Sequence, residues 1–410
     1  MIRTMITTVS NLVFFVSILA QMVHSQARYE GQTIEQIISL PEDSIDLGIA
    51  CLVLAKDAYP NLNVGFFDYA IDFMAKRIQL LNKDLTDPEA RIGLLNTYFF
   101  RPGWWNDSIT FTYDLDDLEA TRKENQFLNG YIASKKGSCA TMSMLYLVLA
   151  DRLGWPIKAV RSGKHVYCRY IQEGFKENNI EATCGGGYLA DDDYVKQVGI
   201  PKKAIKNGVY LRTLTKKEYI ATLLQNNVRY FRETKKDLDK SIYYCRLSLS
   251  IDSTLSTAYW NLGQLYREKA IELDSIRFER IQSLRSQSYV QRNVAPEVFP
   301  QSSAHSVPPQ PLTMDQYIES LKPNPHTSFY PRSNPMKATP ETQRENEQGI
   351  LGTEIQSLDM EYGKQIQELL QRSRQLKAKA KALGIVLKFP EEFFIKQANA
   401  IEEFKRTGKY

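Results

Sequence analysis

The sequence predicts an α+β fold: a helical N-terminal part and one strongly apolar helix packed on a small antiparallel sheet, then further helices. Three observations predict it. Apolar residues recur at three-to-four spacing up to about Thr121, Ser138 to Arg152 is almost continuously apolar, and three β-rich runs lie between Ile157 and Cys184. From Lys216 onward the pattern is helical again.

The 410 residues suggest two or three domains and at least one substantial core. At 43% hydrophobic and 24% charged, the chain is neither wholly disordered nor fibrous. A net charge of +5 is too small to predict nucleic-acid binding, and none is expected. Five cysteines do not make a disulfide-stapled framework, and their odd number leaves one unpaired within the chain. Only four histidines are present.

Residues 1–25 read as a signal peptide. They carry Arg3, an apolar run from Leu12 to Ala20 too short to span a bilayer, and Val23 and Ser25 ahead of a cut before Gln26. An uncleaved anchor or a buried first helix is the alternative. With the segment removed, no stable membrane span is expected. The protein then works in an exported setting, periplasmic or extracellular, where cysteines can oxidise.

A first domain is expected over 26–215. Ile45, Leu47, Ile49, Leu52 and Val53 trace one helix, and Phe67, Ile71, Met74 and Ile78 another. Trp104-Trp105 marks a loop that either shapes a substrate groove or packs in the core. A helix is predicted from Asp116 or Asp117 towards Ala133, broken by Lys135-Lys136-Gly137. The apolar helix from Ser138 to Arg152 stops at Gly154 and Pro156. Strands are predicted over Ile157–Arg161, Val166–Ile171 and Ile180–Cys184, with turns at Gly163 and Gly174. The acidic run Asp191-Asp192-Asp193 reads as a solvated loop or helix start, with calcium a poorer alternative.

Residues 216–285 read as tetratricopeptide-like helical hairpins. The stretch Tyr243 to Asp252, followed by Ala258-Tyr259-Trp260-Asn261-Leu262-Gly263 and Tyr266, carries the pattern, with a more degenerate partner helix around Leu223 to Phe231. Gly263 would let paired helices approach closely while Trp260 and Tyr266 fill the seam. Two hairpins at most are too few for an independent solenoid, so they must pack on the preceding domain. Ten of the seventeen prolines lie between Pro296 and Pro340, which makes 286–345 a proline-rich linker. Over 346–410, Leu351, Ile355, Leu358, Tyr362, Ile366 and Leu369 form the apolar stripe of an amphipathic helix with a basic end, Arg372 to Lys381. A coiled coil or docking helix is the preferred reading.

His24 lies in the signal segment and His305 and His326 in the linker, so His165 is the imidazole left for a folded domain. Cys139 follows Gly137-Ser138 and opens the apolar helix, where unpaired N–H groups and the helix dipole favour a thiolate. His165 starts a strand, and Glu181 lies on the next. Nucleophile, base and base-orienting carboxylate form a triad on a helix-plus-sheet scaffold. Each has a plainer reading as a buried cysteine, a structural histidine and a surface acid. Asn125 is a candidate oxyanion donor beside the Cys139 N–H.

Strand alternation gives a check. His165, Tyr167 and Arg169 share one face, and Cys168 lies on the other. A hairpin turning near Gly174 puts His165 nearly opposite Glu181, Cys168 near Ile180 and Cys184 beside Lys164. Cys168 and Cys184 are then offset by about 13 Å at ~3.3 Å per residue, too far for a disulfide. The face split also argues against a metal site built on His165, Cys168 and Cys184. No metal or other cofactor is expected.

Several runs resemble the transglutaminase-like superfamily: Gly137-Ser138-Cys139-Ala140-Thr141-Met142-Ser143, Leu153-Gly154-Trp155-Pro156-Ile157, His165 with Tyr167 and Arg169, and Asn179-Ile180-Glu181-Ala182-Thr183. Leu95 to Phe100 and Asn125 to Leu128 are similar to its SirB-type branch, whose members commonly carry tetratricopeptide repeats. The resemblance spans roughly 38–285. It implies a papain-like core with Cys139 as nucleophile, His165 as general base and Glu181 as orienting carboxylate, where the superfamily usually has Asp. The implied activity is amide-bond hydrolysis or acyl transfer on a protein or peptide substrate. A catalytically silent scaffold that grips a protein partner through its repeats and C-terminal helix is the competing expectation.

Overall fold

The computed structural model describes residues 31–82, 85–293, 340–388, 390–396 and 399. The expected signal segment and most of the proline-rich stretch lie outside the described residues. Among the described residues, those up to Lys269 and from Leu369 onward form one compact unit, and Ala270 to Glu368 a second. No described helix is long and apolar enough to cross a membrane.

The N-terminal part is helical as the periodicity predicts: α1 (Ile34–Ser39), α2 (Leu47–Lys56), α3 (Val64–Leu81) and α4 (Pro88–Phe100). Each begins at a polar cap, Thr33, Asp46, Asn63 and Asp87, whose side chain accepts a first-turn N–H. Every residue from Leu47 to Ala55 is buried, so α2 is a central helix.

The helix predicted towards Ala133 is broken. It is replaced by tight turns at Leu115–Asp117 and Lys123–Asn125 and by a short α5 (Leu128–Ser134). The cause is Asp117, which accepts the backbone N–H of Thr121 at 2.7 Å and of Arg122 at 3.0 Å, diverting them from a helical ladder. Burial alone would raise this carboxyl, but bonds from Thr121, Asn125 and those N–H groups hold it down at about 2.

Next, β1 (Thr112–Tyr113) and β2 (Lys136–Gly137) pair in parallel, setting Tyr113 against Gly137. The apolar helix α6 (Cys139–Arg152) forms where predicted. A Cβ on Gly137 would lie 2.4 Å from the Tyr131 ring and 2.5 Å from Thr141 Oγ1, so only glycine fits ahead of it. The antiparallel sheet runs β3 (Ile157–Ser162), β4 (His165–Tyr170), β5 (Asn179–Ile180). Cys168 pairs with Ile180 and faces α6, its sulfur 3.9 Å from Ser143 O, while Tyr167 and Arg169 both reach Asp191 from the other face. The strand expected to reach Cys184 ends at Ile180. Glu181 turns the chain by accepting the Thr183 N–H at 3.0 Å, and Gly185 and Gly186 complete the bend at positive φ. All five cysteines are unpaired.

The acidic run opens a short helix, α7 (Asp191–Tyr194), followed by α8 (Lys202–Lys206). Then come α9 (Lys216–Tyr230), α10 (Leu238–Ile251), α11 (Ser256–Asn293) and α12 (Pro340–Leu383). Helix thus intrudes on both ends of the predicted linker. The helices after Lys216 do pack on the preceding elements. Arg161 on β3 and Asp252 at the end of α10 form a buried ion pair at 2.7 Å, and Asn227 on α9 donates to Leu54 O at 2.9 Å. Gly263 permits a close approach, but its partner is α12: a Cβ there would lie 2.9 Å from Lys377 Cγ and 3.0 Å from Ser373 O. In the second unit, Arg277 on α11 meets Asp359 on α12 at 3.2 Å, and Arg280 stacks on Tyr362. A last helical segment, α13, spans 391–396.

Candidate active site

Ser138 caps α6 in a reciprocal box. Its N–H donates to Thr141 Oγ1 at 2.9 Å, and its hydroxyl accepts the Thr141 N–H at 3.4 Å and donates to Asn125 O at 2.8 Å. This fixes the first turn and presents Cys139 at a helix N-terminus, where negative charge is favoured. Asn125 is therefore not an oxyanion donor. Its amide is spent on Asp114 at 2.9 Å and Asp117 at 2.8 Å, and its backbone carbonyl holds Ser138, the cap ahead of Cys139.

His165 begins β4 and is buried, with Nε2 2.7 Å from Glu181 Oε2. Glu181, also buried, accepts from Thr183 Oγ1 at 2.6 Å and from Tyr194 OH at 2.7 Å. With Nε2 taken, Nδ1 is the ring nitrogen left for the adjoining Cys139 thiol. Burial pulls the imidazole pKa down. The Glu181 carboxylate and the adjoining Cys139 thiol outweigh it and hold the group at about 10. Burial pushes Glu181 up, but His165, Thr183 and Tyr194 bring it below the ordinary carboxylate value. His165 and Glu181 are therefore charged partners at neutral pH. Cys139, His165 and Glu181, far apart in sequence, come together here.

Residues 67–225 match the family model of the transglutaminase-like superfamily. The chain carries a transglutaminase-like domain. Its matched stretch contains Cys139, His165 and Glu181, as well as Asn125 and Tyr194. No curated protein matches the chain.

Around Cys139 and His165 lie groups that sequence reasoning missed. Tyr113 donates to Leu118 O at 3.1 Å, and its hydroxyl also lies against the Cys139 N–H and sulfur. Burial pushes this phenol well up, with Cys139 adding to the effect. Tyr194 stacks on Tyr167 with centroids 4.0 Å apart, which aims its hydroxyl at Glu181. Phe393 and Phe394, near the C-terminus, pack against the His165 ring at 5.3 and 5.1 Å. An adjacent Phe pair beyond the long helix was the available signal. Cys139 opens onto a groove of about 390 Å³, with Arg161, Lys164, Gln225, Asn226 and Asn261 among its lining. The Trp104-Trp105 pair does not line it. The Trp105 indole caps α4 by donating to Thr97 O at 3.1 Å and Arg101 O at 3.0 Å.

Proposed function

We propose that the protein is an exported cysteine enzyme acting on amide bonds of a protein or peptide, with Cys139, His165 and Glu181 as a triad. The observation that carries this is the buried 2.7 Å His165–Glu181 pair, with the other ring nitrogen left to the thiol at the head of α6. A buried carboxylate beside an imidazole fixes its orientation and stabilises the imidazolium.

In this reading the Cys139 thiolate attacks the substrate carbonyl carbon, and the negative charge moves to the carbonyl oxygen. In this reading the Cys139 backbone N–H, at the positive end of α6, would stabilise that oxygen once the substrate displaces the Tyr113 hydroxyl that lies against it. As the intermediate collapses, the C–N bond breaks and His165 gives its proton to the departing amine, leaving a thioester. Neutral His165 then takes a proton from water, for hydrolysis, or from a second amine, for transfer. The attacking atom displaces the thiolate, and the imidazolium is restored. The groove holds amide and hydroxyl side chains, Gln225, Asn226, Asn261 and Thr222, suited to the polar backbone of a peptide.

The test is an activated acyl ester such as a p-nitrophenyl ester. A hydroxylamine-sensitive thioester should accumulate on Cys139 and be absent from His165→Ala. Acylation of Cys139 that is equally fast in His165→Ala, or none in either protein, would sink the triad. The competing reading, a silent scaffold that binds a partner through its helices, would then stand.

A further inference from the structure

We propose that the aromatic pocket over His165 is a binding site for a peptide segment carrying adjacent aromatic side chains, and that this chain's own residues 390–396 occupy it. The proposal rests on the reading of His165 as part of the working site.

Phe394 is fully buried and Phe393 nearly so, although they belong to a segment beyond the last long helix. Phe394 meets the His165 ring edge-on at 5.1 Å and lies nearly parallel to Tyr113 at 5.8 Å. Phe393 lies 5.3 Å from His165 and 6.1 Å from Tyr194. The two phenyl groups therefore touch the imidazole, the phenol beside Cys139 and the phenol that holds Glu181. The occupant is a single helical turn, with the Phe394 N–H on Pro390 O at 3.3 Å, and it buries its aromatics while Glu391 and Glu392 face solvent. This is recognition of a short amphipathic segment by an apolar groove.

The segment is delivered by anchors upstream. Lys203 Nζ donates to Lys381 O at 2.8 Å, closing the end of α12 onto α8. Gly384 then turns the chain at φ +93°, where a Cβ would lie 2.8 Å from that of Ala204. The Val386 N–H donates to Tyr210 OH at 3.1 Å, and its side chain passes the β3–β4 turn at Gly163. While the phenyl groups are seated, the His165 side chain has no solvent exposure, and Cys139 lines the groove. A competing aromatic segment, from a substrate or a partner, would displace this turn and uncover the imidazole.

The experiment uses the full chain carrying Cys139→Ala, so that binding is read without chemistry, and a fluorescein-labelled peptide of residues 385–399. Fluorescence anisotropy should show saturable binding to the Phe393→Ala/Phe394→Ala variant and at least tenfold weaker binding to the chain with both phenylalanines. A peptide with both phenylalanines replaced by alanine should not bind. Phe393→Leu/Phe394→Leu, which keeps most of the apolar volume, is measured alongside in case the alanine pair fails to fold. No binding to either folded variant, or equal binding with and without the native pair, overturns the proposal. If the peptide binds as expected but Cys139 in the native chain forms no thioester, the pocket stands and the enzyme reading falls. The converse result removes the pocket alone.

Discussion

Tyr194 donates to Glu181 over 2.7 Å, and it does so at Oε2, the same carboxylate oxygen that meets His165. The oxygen that meets His165 is thus itself held from a third element, α7. With Thr183 on Oε1, the buried carboxylate has its charge met at both oxygens. Tyr194→Phe removes one charge-assisted bond without changing the ring stack on Tyr167. The expected cost is about 1.5–3 kcal/mol in urea unfolding. Thioester formation should slow more than groove binding weakens, because the effect passes through His165.

The same pair sets a pH signature. His165 is raised in the folded protein from 6.5 to about 10, so its contribution to stability is full below pH 6.5 and fades as pH rises through 10. Glu181 is lowered from 4.5, so its contribution is full above pH 4.5 and fades as acid carries it through its folded value. The pair therefore favours the folded state most between these limits. Melting temperature should decline from pH 6.5 towards 10 in the native protein. Glu181→Gln, which leaves His165 without its counter-charge, should cost about 3–5 kcal/mol near pH 6 and flatten that decline. An unchanged slope would contradict the charged pair.

Much of this site was legible because it rests on local signals. Gly137-Ser138 before an apolar run announces a capped helix with Cys139 at its head, and strand alternation correctly set His165, Tyr167 and Arg169 apart from Cys168. The register estimate placed Cys168 near Ile180, as found, but it also set His165 nearly opposite Glu181, and the observed register is two residues off that pairing. What failed was the extent of elements ruled by side chain–backbone competition. Asp117 dismantled the helix predicted through it, and Glu181 ended β5 by capping its own turn. Tyr113, Tyr194 and the Phe393-Phe394 pair were invisible as site residues because long-range packing alone brings them to His165. Gly263 was read correctly as a close-approach residue, but its partner helix lies across the proline-rich stretch, beyond the reach of hairpin periodicity.

The buried Arg161–Asp252 pair ties the sheet to the end of α10. Burial pulls the guanidinium down while Asp252 raises it, and Arg161 also reaches Thr222 and Thr254 at 3.2 Å each. Arg161→Met should cost about 3–5 kcal/mol, because Asp252 keeps its two bonds from Thr254 but loses its near cation, with Arg212 3.7 Å away. Arg161→Met/Asp252→Leu should recover a large part of that in chemical denaturation. Equal losses in the single and double variants would show that the pair does not act as a unit.

Gly263→Leu places a bulky side chain where α11 and α12 touch. Leucine favours helix over glycine, so α11 itself should not suffer. The expected effect is release of the end of α12, where Ser373 Oγ now donates to Gly263 O at 2.6 Å. Limited proteolysis should then cut within 369–388 at least tenfold faster than in the native chain, with the core fragment persisting.

The most direct measurement is the rate of Cys139 carboxymethylation by iodoacetamide against pH, mapped by mass spectrometry. An ordinary thiol with a pKa near ~8.5 is about 0.3% thiolate at pH 6, so its rate climbs about tenfold per pH unit towards neutrality. A Cys139 thiolate paired with the His165 imidazolium should be alkylated at least tenfold faster than Cys139 of His165→Ala at pH 6. A native profile that climbs like an ordinary thiol and overlays that of His165→Ala would contradict the triad.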